Sequence, residues 1–105
     1  MYIFVYKYKY MKEDIYNYTN PDIVFKKAKK IFGKDVNIKL STRKDKKYMI
    51  LNPNNNKWVH FGQYPYEDYT KHKDKERRNK FRQRNSKWAD ADEYSPAFMA
   101  YYILW

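Results

Sequence analysis

An α+β fold is the expectation for this chain: one domain over residues 1–105, with a small, mainly antiparallel sheet of three or four strands packed with two or three helices. Three observations carry that expectation. Residues 2–10, 36–40 and 48–61 alternate in the period-two manner of strands. Residues 21–32 follow an Asn-Pro-Asp start and carry one apolar stripe. Residues 71–84, KHKDKERRNKFRQR, hold eight Lys or Arg among fourteen residues and have the charge spacing of a helix.

The elements follow in order. Tyr2, Phe4, Tyr6, Tyr8 and Tyr10 alternate with Ile3, Val5, Lys7 and Lys9, which predicts a first strand. Asn20 is placed to cap a helix, Pro21 suits its first position, and Asp22 suits its positive end. That helix is expected to reach Phe32 and to stop at Gly33. Ile23, Val24, Ala28, Ile31 and Phe32 form its apolar stripe, with Lys26, Lys27, Lys29 and Lys30 toward solvent. Val36, Ile38 and Leu40 mark a strand, and residues 41–47 a basic loop or strand end. Residues 48–61 read as a hairpin turning at Pro53, Asn54, Asn55 and Asn56, because Pro fixes φ and Asn tolerates left-handed backbone. Gly62 and Pro65 are expected to end it.

Residues 66–85 are predicted as one polar helix with Asp68 or Thr70 as its cap. Asp74 with Arg78, and Glu76 with Lys80, are four residues apart and support it. Tyr66, Tyr69, Phe81 and Trp88 are its expected anchors on the sheet. Residues 85–93 read as a loop, and Ser95-Pro96 opens a final, mostly buried helix.

The net charge is +11, spread as +4 over residues 1–35, +5 over 36–62, +4 over 63–85 and −2 over 86–105. Such a field repels copies of itself and attracts polyanions. Thirteen Tyr, six Phe and three Trp supply the core and argue against disorder. The chain has no Cys, which excludes disulfides, thiol nucleophiles and zinc–thiolate sites. No apolar run approaches the roughly 20 residues of a membrane span. The opening MYIFVYKYKY is too short in its apolar stretch and too interrupted by Lys for a signal peptide, so neither a membrane partner nor secretion is expected.

Chemistry-bearing constellations are few. His60 and His72 are the two histidines, and His72-x-Asp74 with His60 offers too few ligands for a metal, which needs three or four. The residue-level expectation is structural: His60 bonding to the helix after the hairpin, and Asp74 pairing with Arg77 or Arg78. There is no phosphate-binding Gly loop, the serines Ser41, Ser86 and Ser95 fall in loop or capping contexts, and Asp90, Asp92 and Glu93 read as an acidic loop. No enzyme, metal or cofactor is therefore expected.

The basic segment suggests nucleic acid. On a helix, Lys73, Arg77, Lys80 and Arg84 line one stripe, flanked by Lys71, Lys75, Arg78 and Arg82. Arg43, Lys44, Lys46 and Lys47 add a second cluster. These twelve are the candidate phosphate-binding residues, with DNA favoured over RNA as partner. No helix-turn-helix or zinc-finger spacing accompanies them, so base-specific readout is not expected. Trp58, Tyr64, Tyr66 and Tyr69 are of a type that stacks on bases, but their pattern suits core and rim.

Residues 46–105 carry a resemblance on Lys47-Tyr48, Val59-His60-Phe61-Gly62, Tyr69-Thr70-x-His72-x-Asp74, Arg77 through Phe81 to Arg84, Trp88 and Leu104-Trp105. In these residues the chain resembles a family of small basic proteins, of unsettled activity, from nucleocytoplasmic large DNA viruses of eukaryotes. The resemblance implies a viral origin, a compact domain, and a place in the virion or the virus factory of the host cell. Two functions of different class fit: phosphate-mediated DNA binding in genome condensation or packaging, or a structural role as a minor capsid protein or adaptor to other virion proteins.

Overall fold

A computed structural model describes residues 14–105; the strand predicted over residues 2–10 lies outside the described residues. A 3₁₀ turn at Ile15–Asn17 leads into helix α1, Pro21–Phe32. Strands β1 (Ile38–Leu40), β2 (Lys46–Asn52) and β3 (Lys57–Gln63) follow. Helices α2 (Tyr69–His72) and α3 (Lys75–Arg84), a 3₁₀ turn (Ser86–Asp90), helix α4 (Pro96–Met99) and a π turn (Ala100–Leu104) complete the chain. The fold is α+β, with a three-stranded antiparallel sheet of order β1-β2-β3 among the described residues.

Helix α1 begins as the sequence dictates. The Asn20 side chain accepts from the main-chain N–H of Asp22 and Ile23, at 3.1 and 3.3 Å, and so satisfies two of the donors a helix start leaves open. Gly33 closes it at φ 102°, and its N–H donates to the Lys29 carbonyl. Pro21, Val24 and Ala28 are buried along one face. Phe25 joins that face, packing edge-on to Tyr48 at 6.0 Å between ring centroids. Two expected memberships are corrected. Ile31 lies beyond the edge of the stripe and is exposed, and Lys27, expected toward solvent, is half-buried.

The hairpin pairs Lys46 with Gln63, Tyr48 with Phe61, Ile50 with Val59 and Asn52 with Lys57. Its turn is built from asparagines: Asn52 Oδ1 accepts from Asn54 N–H, Asn55 Oδ1 accepts from Lys57 N–H, and Asn56 takes the left-handed conformation at φ 59°. Gly62 does not end β3 as expected; the strand runs on to Gln63. Tyr48, Ile50 and Phe61 form a fully buried core with Val24 and Ala28 of α1 and with Met99, Ile103 and Leu104 from the C-terminal turns. Aromatic rings dominate, as the composition implies: Tyr48 stacks on Phe61 at 5.7 Å, and Phe32 on Tyr94 at 5.0 Å.

The predicted helix over residues 66–85 is two helices. Asp68 caps α2 by accepting from Thr70 N–H, and Asp74 caps α3 by accepting from Glu76 and Arg77 N–H. Between them Lys73 is left-handed at φ 55°. A second capping Asp six residues after the first restarts the helix, and the His72 ring takes the Asp74 N–H on its Nδ1 at 3.0 Å, fixing the break. Asp74 is therefore a cap, and its expected ion pair with Arg77 or Arg78 is replaced by main-chain bonds. Tyr66, expected as an anchor, is 63% exposed.

Candidate polyanion-binding surface

Behind the basic helices lies a buried polar network that fixes their position. Lys47 Nζ donates to Asp68 Oδ2 at 3.0 Å, with both side chains out of solvent. Asp68 Oδ1 accepts from Thr70 N–H and from the Thr70 hydroxyl. Thr70 Oγ1 in turn accepts from Asn20 N–H at 2.9 Å and bonds Thr19, whose hydroxyl meets Tyr48 at 2.9 Å. The network ties β2, the start of α1 and the start of α2 together. Burial pushes the Lys47 pKa down, against the pull of Asp68, and pushes the Tyr48 hydroxyl well up. Lys47 was a candidate phosphate ligand; buried and bonded to Asp68, it has no access to one.

The eight candidates on α2 and α3 divide by direction. Lys71, Lys73, Lys75 and Arg84 are exposed. Arg77 and Lys80 are also exposed, and each holds an acid loosely: Arg77 with Glu67 and Lys80 with Glu76, both at 3.3 Å. Exposed pairs of this kind contribute about 0–1 kcal/mol and open readily to a stronger anion. Arg78 and Arg82 turn the other way. Arg78 lies over the Tyr69 ring at 4.6 Å. Arg82 donates to the Trp105 main-chain oxygen at 2.9 Å and sits over Tyr101 at 5.5 Å. These two arginines serve the fold, and the flanks assigned to them on the basic stripe are corrected accordingly. Lys27 of α1 faces the same inner region; burial and the nearby Arg82 and Arg78 charges lower its pKa, with Asp68 pulling the other way.

The remaining candidates lie around the start of β2. Arg43 and Lys44 are exposed on the β1–β2 loop, and Lys46 is half-buried at the first position of β2. Arg43 N–H donates to Ser41 Oγ, and Ser41 Oγ lies 2.7 Å from His60 Nδ1. His60 therefore braces this basic loop, not the following helix as its sequence position suggests. Its pKa is lowered by burial and by Arg43. That of His72 is lowered by burial and by Arg77. Among the described residues no group of three His, Asp or Glu side chains is placed to hold a metal.

One feature escaped sequence reasoning. A cleft of about 560 Å³ opens between the hairpin base, α3 and the C-terminal turns, with Lys46, Gly62, Phe81, Trp88, Ala97 and Trp105 among its lining. At its wall Gly62 comes close to the C-terminal turns: a Cβ there would lie 2.9 Å from Leu104 Cδ1 and 3.1 Å from Lys47 Cβ. The hint in the sequence was a lone Gly inside a strand pattern, which often marks a close approach.

A family of unknown function, DUF5754, matches over residues 36–85, the stretch that holds all three strands, α2 and α3. No curated protein and no solved structure matches the chain.

Proposed function

We propose that this is a small basic protein that holds nucleic acid, double-stranded DNA foremost, through phosphate contacts made by the outer face of α2 and α3. The observation that carries the reading is the side-chain sorting on these helices. Lys71, Lys73, Lys75, Arg77, Lys80 and Arg84 are left outward, while α3 buries no residue fully. A fixed row of cations displaces condensed counterions from a duplex, and that release supplies the affinity. Arg43 and Lys44 extend the basic surface on the β1–β2 loop. We extend the proposal to a setting in genome condensation or packaging, in the virion or the virus factory, on the expectation drawn from the sequence of residues 46–105.

The test is a fluorescence titration of the protein with duplex DNA, single-stranded DNA and RNA at several salt concentrations. Affinity is expected to fall steeply with salt, and the triple variant Arg77→Glu, Lys80→Glu, Arg84→Glu is expected to lose most of it. Binding that ignores salt, or survives the triple variant unchanged, would remove this reading. The structural alternative, a minor capsid component or adaptor, draws support from the exposed Tyr16 and Tyr66. It predicts capture of a virion protein with no affinity for nucleic acid.

A further inference from the structure

We infer that the cleft between the hairpin base and the C-terminal turns binds a nucleotide, a planar heteroaromatic ring carrying phosphate. This goes beyond the proposed function, which rests on the outer face of α2 and α3 and needs no cavity.

The cleft volume of about 560 Å³ falls within the roughly 300–1,000 Å³ usual for small-molecule sites. Its walls suit a flat ring. Phe81 and Trp105 stack with centroids 4.3 Å apart and planes 7° from parallel, and both border the cleft. Trp88 meets Phe81 edge-on at 5.8 Å, and the exposed Tyr66 stands at the lip. A stacked pair that borders open space is a platform for a further ring, and every nucleobase has a π face to offer it.

The charges around the cleft select an anion. Lys47 is neutralised by Asp68, and the exposed Glu67 is held loosely by Arg77. That leaves Lys46 as the cation of the lining without an ion pair among the described residues. Gln63, also in the lining, supplies an amide that can meet the donors and acceptors of a base edge, whereas the Ser95 hydroxyl is held by the Asp92 carbonyl and the Phe98 N–H. A proline-rich peptide also suits aromatic walls, but it brings no anion for Lys46. Ring stacking, a polar edge group and one cation without an ion pair among the described residues together describe a nucleotide. It can arrive free or as an unstacked unit of a single strand.

The experiment follows tryptophan fluorescence and binding heat for the full chain against AMP, adenosine, a dT10 oligonucleotide and a proline-rich decapeptide. Ala97→Phe fills the cleft, and Lys46→Gln removes its cation; circular dichroism checks that each is folded. Saturable binding of AMP or dT10 is expected, weakened about tenfold or more by Ala97→Phe, the loss of one base–aromatic stack. Binding of both probes means either source is accepted; binding of dT10 alone makes the source a strand, and of AMP alone a free nucleotide. Lys46→Gln should weaken AMP several-fold and leave adenosine unchanged, which keeps the test open if Ala97→Phe does not fold. Binding of neither AMP nor dT10, binding indifferent to both substitutions, or occupancy by the decapeptide instead would overturn the assignment. The Lys80→Glu, Arg84→Glu variant, which leaves the Arg77–Glu67 pair in place, should keep its AMP affinity while losing duplex DNA, so failure at the cleft and failure at the outer face are read separately.

Discussion

At the scale of single residues, Gly62 and Lys47 bear the largest consequences. Gly62 has φ 84°, which disfavours any side chain, and a Cβ there would press Leu104 at 2.9 Å. Gly33 is also at positive φ, 102°, but has no atom within 4 Å of a built Cβ. Both Ala variants carry backbone strain of about 1–3 kcal/mol, and only Gly62→Ala adds a clash. Urea unfolding should therefore rank Gly62→Ala as the more damaging; equal losses would show that strain alone decides. Lys47→Met would leave Asp68 buried without its cation, which costs about 3–5 kcal/mol. Replacing both partners, Lys47→Met with Asp68→Leu, should restore part of that loss, though Thr70 then lacks its acceptor. A double variant no better than the single one would place the cost in the cap. The lone Gly62 inside a strand pattern hinted at a close approach, but the Lys47 pair was not legible in the sequence, where Lys47 is one more cation in a basic run; its burial depends on Asp68, twenty-one residues away.

Among the elements, the break between α2 and α3 is the most instructive. The sequence holds both caps, Asp68 and Asp74, yet the run of helix-compatible residues between them favours one continuous helix. The His72 ring decides the matter by accepting the Asp74 N–H. A main-chain N–H can only donate, so Nδ1 is unprotonated and the folded protein holds His72 neutral, in keeping with its lowered pKa. The folded pKa lies below the unfolded one, so in the window between them the unfolded state binds more protons. Stability is thus lost as pH falls from about 6.5 through the folded pKa. The melting temperature should drop on acidification over that range, and less so in His72→Asn, whose side-chain oxygen can accept the same N–H. A wild-type response shared fully by the variant would assign the effect to His60, whose pKa is lowered as well. Elements with strong local signals follow directly from the sequence. The Asn20 cap, Pro21, the Gly33 stop and the asparagine turn are each decided within a few residues. The cleft was not, because it needs Gly62, Phe81 and Trp105 from three distant parts of the chain.

For the whole molecule, the count of 23 Lys and Arg overstates the cations a ligand meets. Lys47 is buried with Asp68, and Arg78 and Arg82 lie against aromatic rings. If about five of the outward cations reach phosphates, log affinity should fall against log salt with a slope near −4.5 on duplex DNA. A slope of about twice that would need about ten contacts, more than the outward cations of α2 and α3 with Arg43 and Lys44 supply, and would draw in other exposed lysines such as Lys26 and Lys30. The α+β class and the basic character of residues 71–84 were legible from pattern and composition; which cations face out was set by tertiary packing, which pattern cannot supply.

The core draws Val24 and Ala28 from before residue 36 and Met99, Ile103 and Leu104 from after residue 85, and the Thr70–Tyr48 network closes through Thr19. The stretch that matches a known family, residues 36–85, thus contains the sheet and the basic helices but not the groups that cover and satisfy them. The matched stretch is smaller than the packed unit. A fragment cut at the borders of that match would expose Tyr48, Ile50 and Phe61 to water, so any transplant of the basic surface into another scaffold has to carry both flanks with it.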